Sequence, residues 1–118
     1  MLELMRAAYN ERSWRLCLPQ NWRRWAGYIV AGSYDLSLDR EYWAIRDAAA
    51  LIDVSPLMKY LIDGPDAAQL LHRVTTRDIH KMAVVQVYYT GWCDDEGKML
   101  DDGTVSRLGG TTFRMTSA

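Results

Sequence analysis

Cysteine is scarce in this chain: Cys17 and Cys93 are the only two among 118 residues. A small secreted domain stapled by disulfides would carry four or more. Neither cysteine belongs to a CxxC motif, and His72 and His80 stand far from both in sequence, so no zinc-type cluster is spelled out. An excess of one charge is lacking too. Fourteen Lys and Arg stand against fifteen Asp and Glu, a formal net charge of −1. Dedicated nucleic-acid or membrane-surface binders carry a strong basic excess instead. No apolar run approaches the roughly 18 residues of a membrane span. The stretch from Met1 to Arg6 lacks the charged-then-apolar layout of a secretory signal. No internal repeat or low-complexity segment is visible. These absences predict a cytoplasmic protein with idle reduced thiols, no metal, and neither a nucleic-acid nor a membrane partner.

What is present suffices for one domain with a modest core. The chain is 49% hydrophobic, 25% charged and 11% aromatic, which excludes disorder and collagen-like repeats. At this length roughly 60–70% of the unfolded surface is buried on folding. Charge is unevenly spread. Residues 1–28 hold five arginines and two glutamates, together with Trp14, Trp22 and Trp25, while the remainder is net acidic. Arg23, Arg24 and the flanking tryptophans offer a stacking platform for single-stranded nucleic acid. Five arginines beside an acidic body make too small a basic field for that. Residues 1–28 are therefore expected to form an irregular aromatic and basic arm ahead of a domain over 29–118.

From Ser37 onward the signals become regular. Asp39 can cap a helix over 40–50, in which Tyr42, Ile45 and Ala49 recur at helical spacing. Leu57 to Ile62, bounded by Pro56 and Gly64, suits a strand. Pro65 fits the first position of a second helix, whose Ala67, Leu70, Leu71 and Val74 form one apolar stripe expected to be buried. Gln86 to Cys93 reads as a strand, followed by the turn residues Asp94-Asp95-Glu96-Gly97. Lys98 to Leu108 and Thr111 to Thr116 complete a meander across Gly109-Gly110. The expected fold is α+β, an antiparallel sheet with helices packed on one side. A final strand reaching almost to Ala118 is expected to leave a sheet edge uncovered. Such an edge belongs to a larger assembly or invites self-association.

The densest polar feature is Asp94, Asp95, Glu96, Asp101 and Asp102, whose spacing does not match a calcium loop. Asp101 and Asp102 interrupt a strand, so their side chains point to opposite faces. One is expected in solvent and the other toward the covered face, where a carboxylate is costly unless paired or serving a ligand. Register sharpens this. A two-residue loop at Asp95-Glu96 sets Tyr89 opposite Asp102, and a loop at Glu96-Gly97 still leaves them on one face. A three-residue loop would break that parity. A phenol beside a carboxylate can grip a polar heterocycle, although a simple cross-strand contact has the same spacing. His72, His80, Met58, Met99 and Met115 carry no visible chemical role.

Five blocks then occur in order: Arg46 to Ser55 (RDAAALIDVS), Gly64-Pro65-Asp66-Ala67, Thr76-Arg77-Asp78-Ile79, Val87-Tyr88-Tyr89-Thr90, and Gly97 to Asp102 (GKMLDD). This series resembles the glycine cleavage T-protein family, the folate-binding aminomethyltransferases, over about residues 25–118. Trp25-Ala26-Gly27-Tyr28 is similar to that family's early aromatic-Gly segment. The resemblance implies the incomplete N-terminal part of the aminomethyltransferase folate-binding fold. It implies transfer of an aminomethyl or methyl carbon to N5 of tetrahydrofolate, which is also handled as its 5,10-methylene or 5-methyl form. The implied partners are a small one-carbon donor and a lipoyl carrier protein. By the same resemblance Asp102 is the catalytic carboxylate and a folate contact, Tyr89 a second folate contact, and Leu57 an apolar residue against the pterin. Departures bear on the substrate class: Pro56 stands where T-proteins usually carry His, Val85 replaces a strand-opening Gly, Gly103 an aliphatic residue, and Ser106 an aromatic. The alternatives are a non-catalytic folate binder on the same scaffold and a truncated product without activity, since the isolated piece is not expected to turn over.

Overall fold

The computed structural model describes residues 5–118, which divide into two compact units, the first ending at Pro56 and the second spanning Leu57–Ala118. The first contains β1 (Met5–Arg6), α1 (Asn10–Ser13), β2 (Trp22–Trp25), β3 (Tyr28–Ala31) and α2 (Leu38–Asp47). β2 and β3 form an antiparallel hairpin, and β1 joins β3 in parallel. The turn residues Ala26 and Gly27 have φ of 46° and 85°, the left-handed conformation that a tight two-residue hairpin demands. Residue 28 lies inside this hairpin. From Met5 onward the residues of the expected arm contribute strands and a helix, and residues 1–4 lie outside the described ones. Trp14 and Trp22 stack on each other with centroids 4.2 Å apart, so those ring faces are mutually occupied.

α2 starts one residue before the expected cap. Instead of Asp39, Glu41 reaches back: its Oε1 accepts the backbone N–H groups of Tyr34 and Asp35. Asp35 in turn accepts the Ser37 N–H at 3.0 Å and pairs with Arg40 at 3.5 Å. The Ser37 bond, opposed by partial desolvation and assisted by Arg40, holds the Asp35 carboxyl below its ordinary value. Cys17 is buried, with its thiol donating to the Ser33 carbonyl at 3.3 Å.

The second unit holds β4 (Met58–Asp63), α3 (Ala67–Val74), β5 (Val87–Cys93), β6 (Met99–Arg107) and β7 (Thr112–Ser117), with a 3-10 turn at Ile79–Lys81. Its sheet runs β4-β7-β6-β5, every pair antiparallel. Val105 and Phe113 from one face pack with Ala67 and Leu71 of α3 and with Ile79 and Met82. This is the expected α+β arrangement, an antiparallel sheet with helices on one side. The stripe on α3 is only half buried. Ala67 and Leu71 meet the sheet, whereas Leu70 and Val74 are 54% and 43% exposed because the row one residue away turns outward on so short a helix. The last strand is not an edge. β7 inserts between β4 and β6, which corrects the expected uncovered edge: the edge strands of the described sheet are β4 and β5.

Val85, where the resembled family carries Gly, has φ 69° and is 86% exposed. Its N–H donates to the Arg107 carbonyl at 2.8 Å, so the chain keeps a left-handed turn that a β-branched residue adopts only under strain.

Candidate functional site

β5 and β6 are joined by an odd loop. The Asp94 N–H donates to the Lys98 carbonyl at 2.9 Å, leaving Asp95, Glu96 and Gly97 as the turn, with Gly97 at φ 79°. The Asp94 carboxylate braces it by accepting the N–H groups of Glu96 and Lys98 at 3.0 and 2.8 Å. A three-residue loop alone would put Tyr89 and Asp102 on opposite faces. The pairing then slips once: Cys93 pairs with Met99, but Trp92 pairs with Asp101, leaving Leu100 as the extra residue of a bulge. Beyond it Gly91 pairs with Asp102, and Tyr89 with Thr104. The two odd steps cancel, and Tyr89, Asp102 and Thr104 share a face.

That face is not the one packed by α3. Val105, in the core, alternates with Thr104, so Asp102 lies on the sheet's other side. Asp101 is the residue on the helix-packed side. Its Oδ1 accepts the Asp102 N–H at 2.8 Å. One of the two carboxylates does face the covered side, as alternation requires, and it is Asp101 rather than Asp102.

One lateral row on this face is Lys59, Thr116, Thr104 and Tyr89; the next position along pairs Asp102 with Gly91. Leu57 is half-buried at the residue before β4. Tyr89 is 65% exposed and Asp102 half-buried. Tyr89 and Asp102 are diagonal neighbours, a spacing of about 7–8 Å between strands. The Asp102 carboxylate has no hydrogen-bond or ionic partner among the described residues. Opposite it stands Gly91, where a Cβ would meet the Met99 methyl at 3.0 Å and the Asp101 carbonyl oxygen at 3.6 Å. Tyr89 and Asp102 thus share one face, while Leu57 stands before β4, with β7 between that strand and β6.

Sequence reasoning missed the hydroxyls between them. Thr104 and Thr116 are joined through their Oγ1 atoms at 2.5 Å. Alternation with Tyr89 and Asp102 could have indicated Thr104, but Thr116 could not be placed without knowing that β7 inserts beside β6. The histidines assigned no role do meet. His72 and His80 have ring centroids 4.5 Å apart, and His72 Nδ1 lies 3.4 Å from Asp78. Asp78 also pairs with Lys81 and accepts the His80 N–H, which ties the 3-10 turn to α3.

A family model described as the GCVT N-terminal domain matches residues 9–118. The chain belongs to this family. It is 43% identical over 74 residues to a trimethylamine-oxide aldolase of Ruegeria pomeroyi, covering 63% of this chain and 9% of that protein. It is 40% identical over 82 residues to a probable aminomethyltransferase of Natronomonas pharaonis, covering 70% and 23% respectively. Its backbone is similar to the crystal structure of glycine cleavage system aminomethyltransferase T from Bartonella henselae, with a TM-score of 0.84 at 22% identity. That match covers 98% of this chain and 31% of the other. The chain therefore spans less than a third of each of these proteins.

Proposed function

We propose that this GCVT chain supplies one wall of a tetrahydrofolate site in a one-carbon transferase of the aminomethyltransferase type. The observation that carries it is the placement of Tyr89 and Asp102 on the sheet face opposite α3, with Asp102 unpaired among the described residues and no side chain on Gly91 beside it. That combination fits a polar heterocycle. An unpaired carboxylate accepts N–H bonds, an exposed phenol offers a ring face and an O–H donor, and Leu57 supplies apolar contact. Tetrahydrofolate, when bound, supplies N5 as the acceptor of the one-carbon unit. Asp102 has two roles, orienting the ring system through its N–H donors and holding a proton close to where the new bond to carbon forms. Tyr89 positions the ring. Catalysis also requires a one-carbon donor, which in aminomethyltransferases is presented by a lipoyl carrier protein.

The test is calorimetry of tetrahydrofolate with the chain and with Asp102→Ala. Loss of a charge-assisted hydrogen bond is worth about 1.5–3 kcal/mol, so the variant should bind roughly ten- to a hundredfold more weakly. Equal affinity of both proteins would remove Asp102 from the site.

A further inference from the structure

The first unit contains a cavity of about 280 Å³, set among α1, β3, α2 and the segment that follows α2. Its walls are mostly apolar, with Ile45 and the aromatic rings of Trp25 and Tyr34 among them. Its ionisable carboxylates, Glu41 and Asp53, are both acidic, and no basic residue lines it. Asn10, also in the lining, is 3% exposed, and its Oδ1 is buried with no hydrogen-bond partner. A native structure rarely leaves a buried amide oxygen unpaired, and such a group marks a place where a donor is missing. Glu41 is prepared in a complementary way. Its Oε1 is anchored by the N–H groups of Tyr34 and Asp35, while its Oε2 has no partner among the described residues.

We propose that this cavity binds a small alkylated ammonium ion that retains at least one N–H. The N–H donates to Asn10 Oδ1. The positive charge is matched by the free oxygen of Glu41, in a lining that carries acids and no bases. The alkyl groups displace water from Ile45, and the faces of Trp25 and Tyr34 attract the cation. A neutral ligand leaves Glu41 without a counter-charge, and an anion is repelled by it. A quaternary ammonium has no hydrogen to give Asn10. This site lies wholly in the first unit and is independent of the folate reading, which rests on the second.

Calorimetry of the 118-residue chain with dimethylammonium chloride, tetramethylammonium chloride and isopropanol, at matched ionic strength, tests it. Dimethylammonium should bind with a Kd on the order of 1 mM or tighter, and tetramethylammonium about tenfold more weakly. Isopropanol should give no heat of binding. Glu41→Gln keeps an oxygen for the two backbone donors, at some cost in Tm because those bonds lose their charge assistance, and should weaken dimethylammonium about tenfold. Asn10→Leu should weaken it comparably while leaving Tm equal or higher, an outcome that an asparagine needed for structure would not give. If Asn10→Leu does not fold, Glu41→Gln decides. No binding of dimethylammonium, equal binding of all three probes, or unaltered affinity in Glu41→Gln overturns the proposal.

Discussion

Gly103 offers the sharpest test of the sheet that carries Asp102. It pairs with Thr90 on one side and Ser117 on the other, and a Cβ built on it would lie 1.8 Å from the Thr116 carbonyl oxygen and 3.0 Å from the carbonyl carbon. No rotamer relieves this contact, because the clashing atoms are backbone. β7 would have to retreat by more than about 1 Å, and it is hydrogen-bonded to β4 on its far side. Gly103→Ala therefore costs about 1–3 kcal/mol in overpacking. Loosening two neighbouring ladder bonds adds roughly 1 kcal/mol each. The sum, about 3–5 kcal/mol, is a large fraction of what a small domain has. Thermal unfolding followed by circular dichroism should show a Tm drop of more than 10 °C, at roughly 4–8 °C per kcal/mol for a unit of this size. Gly91→Ala is the control. Its Cβ would meet only the mobile Met99 methyl at 3.0 Å and the Asp101 carbonyl at 3.6 Å, so it should cost under about 1 kcal/mol. A Gly103→Ala protein as stable as wild type would refute the β6–β7 register, and with it the placement of Thr104 beside Thr116.

Other perturbations probe the remaining elements. Val85→Gly should stabilise the chain by about 1 kcal/mol in urea unfolding, since it relieves a left-handed β-branched residue that is exposed and packs little; a loss of stability would show that the valine side chain matters there. Leu71→Ala empties the contact between α3 and the sheet and should cost about 2–5 kcal/mol by the same assay. Asp78→Asn reads out the junction of α3 with the 3-10 turn. Desolvation raises the Asp78 carboxyl, but the Lys81 hydrogen bond and charge, the His80 N–H and His72 together outweigh it and hold the group below its ordinary 3.8. A depressed carboxylate stabilises the fold above its unfolded value and stops doing so as pH falls through the folded one. The Tm gap between wild type and variant should thus be present at neutral pH and narrow as the pH falls below the ordinary carboxylate value of 3.8; a gap independent of pH would exclude the ionic origin.

The second unit was more legible in the sequence than the first, and the reason is periodicity. β5, β6 and β7 have alternating or β-rich runs bounded by turn residues, and each was anticipated to within a residue or so. In the first unit, strands β2 and β3 are four residues each, too short for a period to show, and their aromatic and arginine content reads as surface rather than sheet. Partner order is a different kind of information. Nothing in the composition of Thr112–Ser117 says that it pairs on both sides, because insertion between β4 and β6 is decided by contacts far apart in sequence. The same limit hid Thr116.

The shared face of Tyr89 and Asp102 follows from the sequence for a reason that only partly survives. Parity from an even hairpin loop predicted that Tyr89 and Asp102 share a face, and they do, yet the loop is odd. The Asp94 carboxylate and the left-handed Gly97 select a three-residue turn. Left alone, that turn would carry Asp102 to the side of α3, and Val105 and Phe113 would leave the core with the opposite alternation. Burying those two side chains is worth far more than one interrupted ladder step, so the strand absorbs the mismatch as a bulge at Leu100. The face of Asp102 is therefore set by the core residues on β6 and β7, and the loop conforms to them. It follows that changing loop length, for example by deleting Glu96, should shift or remove the bulge while leaving Asp102 beside Tyr89. Cross-strand contacts of Thr104 with Tyr89, measured by nuclear Overhauser effects, would persist in that variant. Their replacement by contacts between Tyr89 and Gly103 would show that the loop, after all, dictates the register.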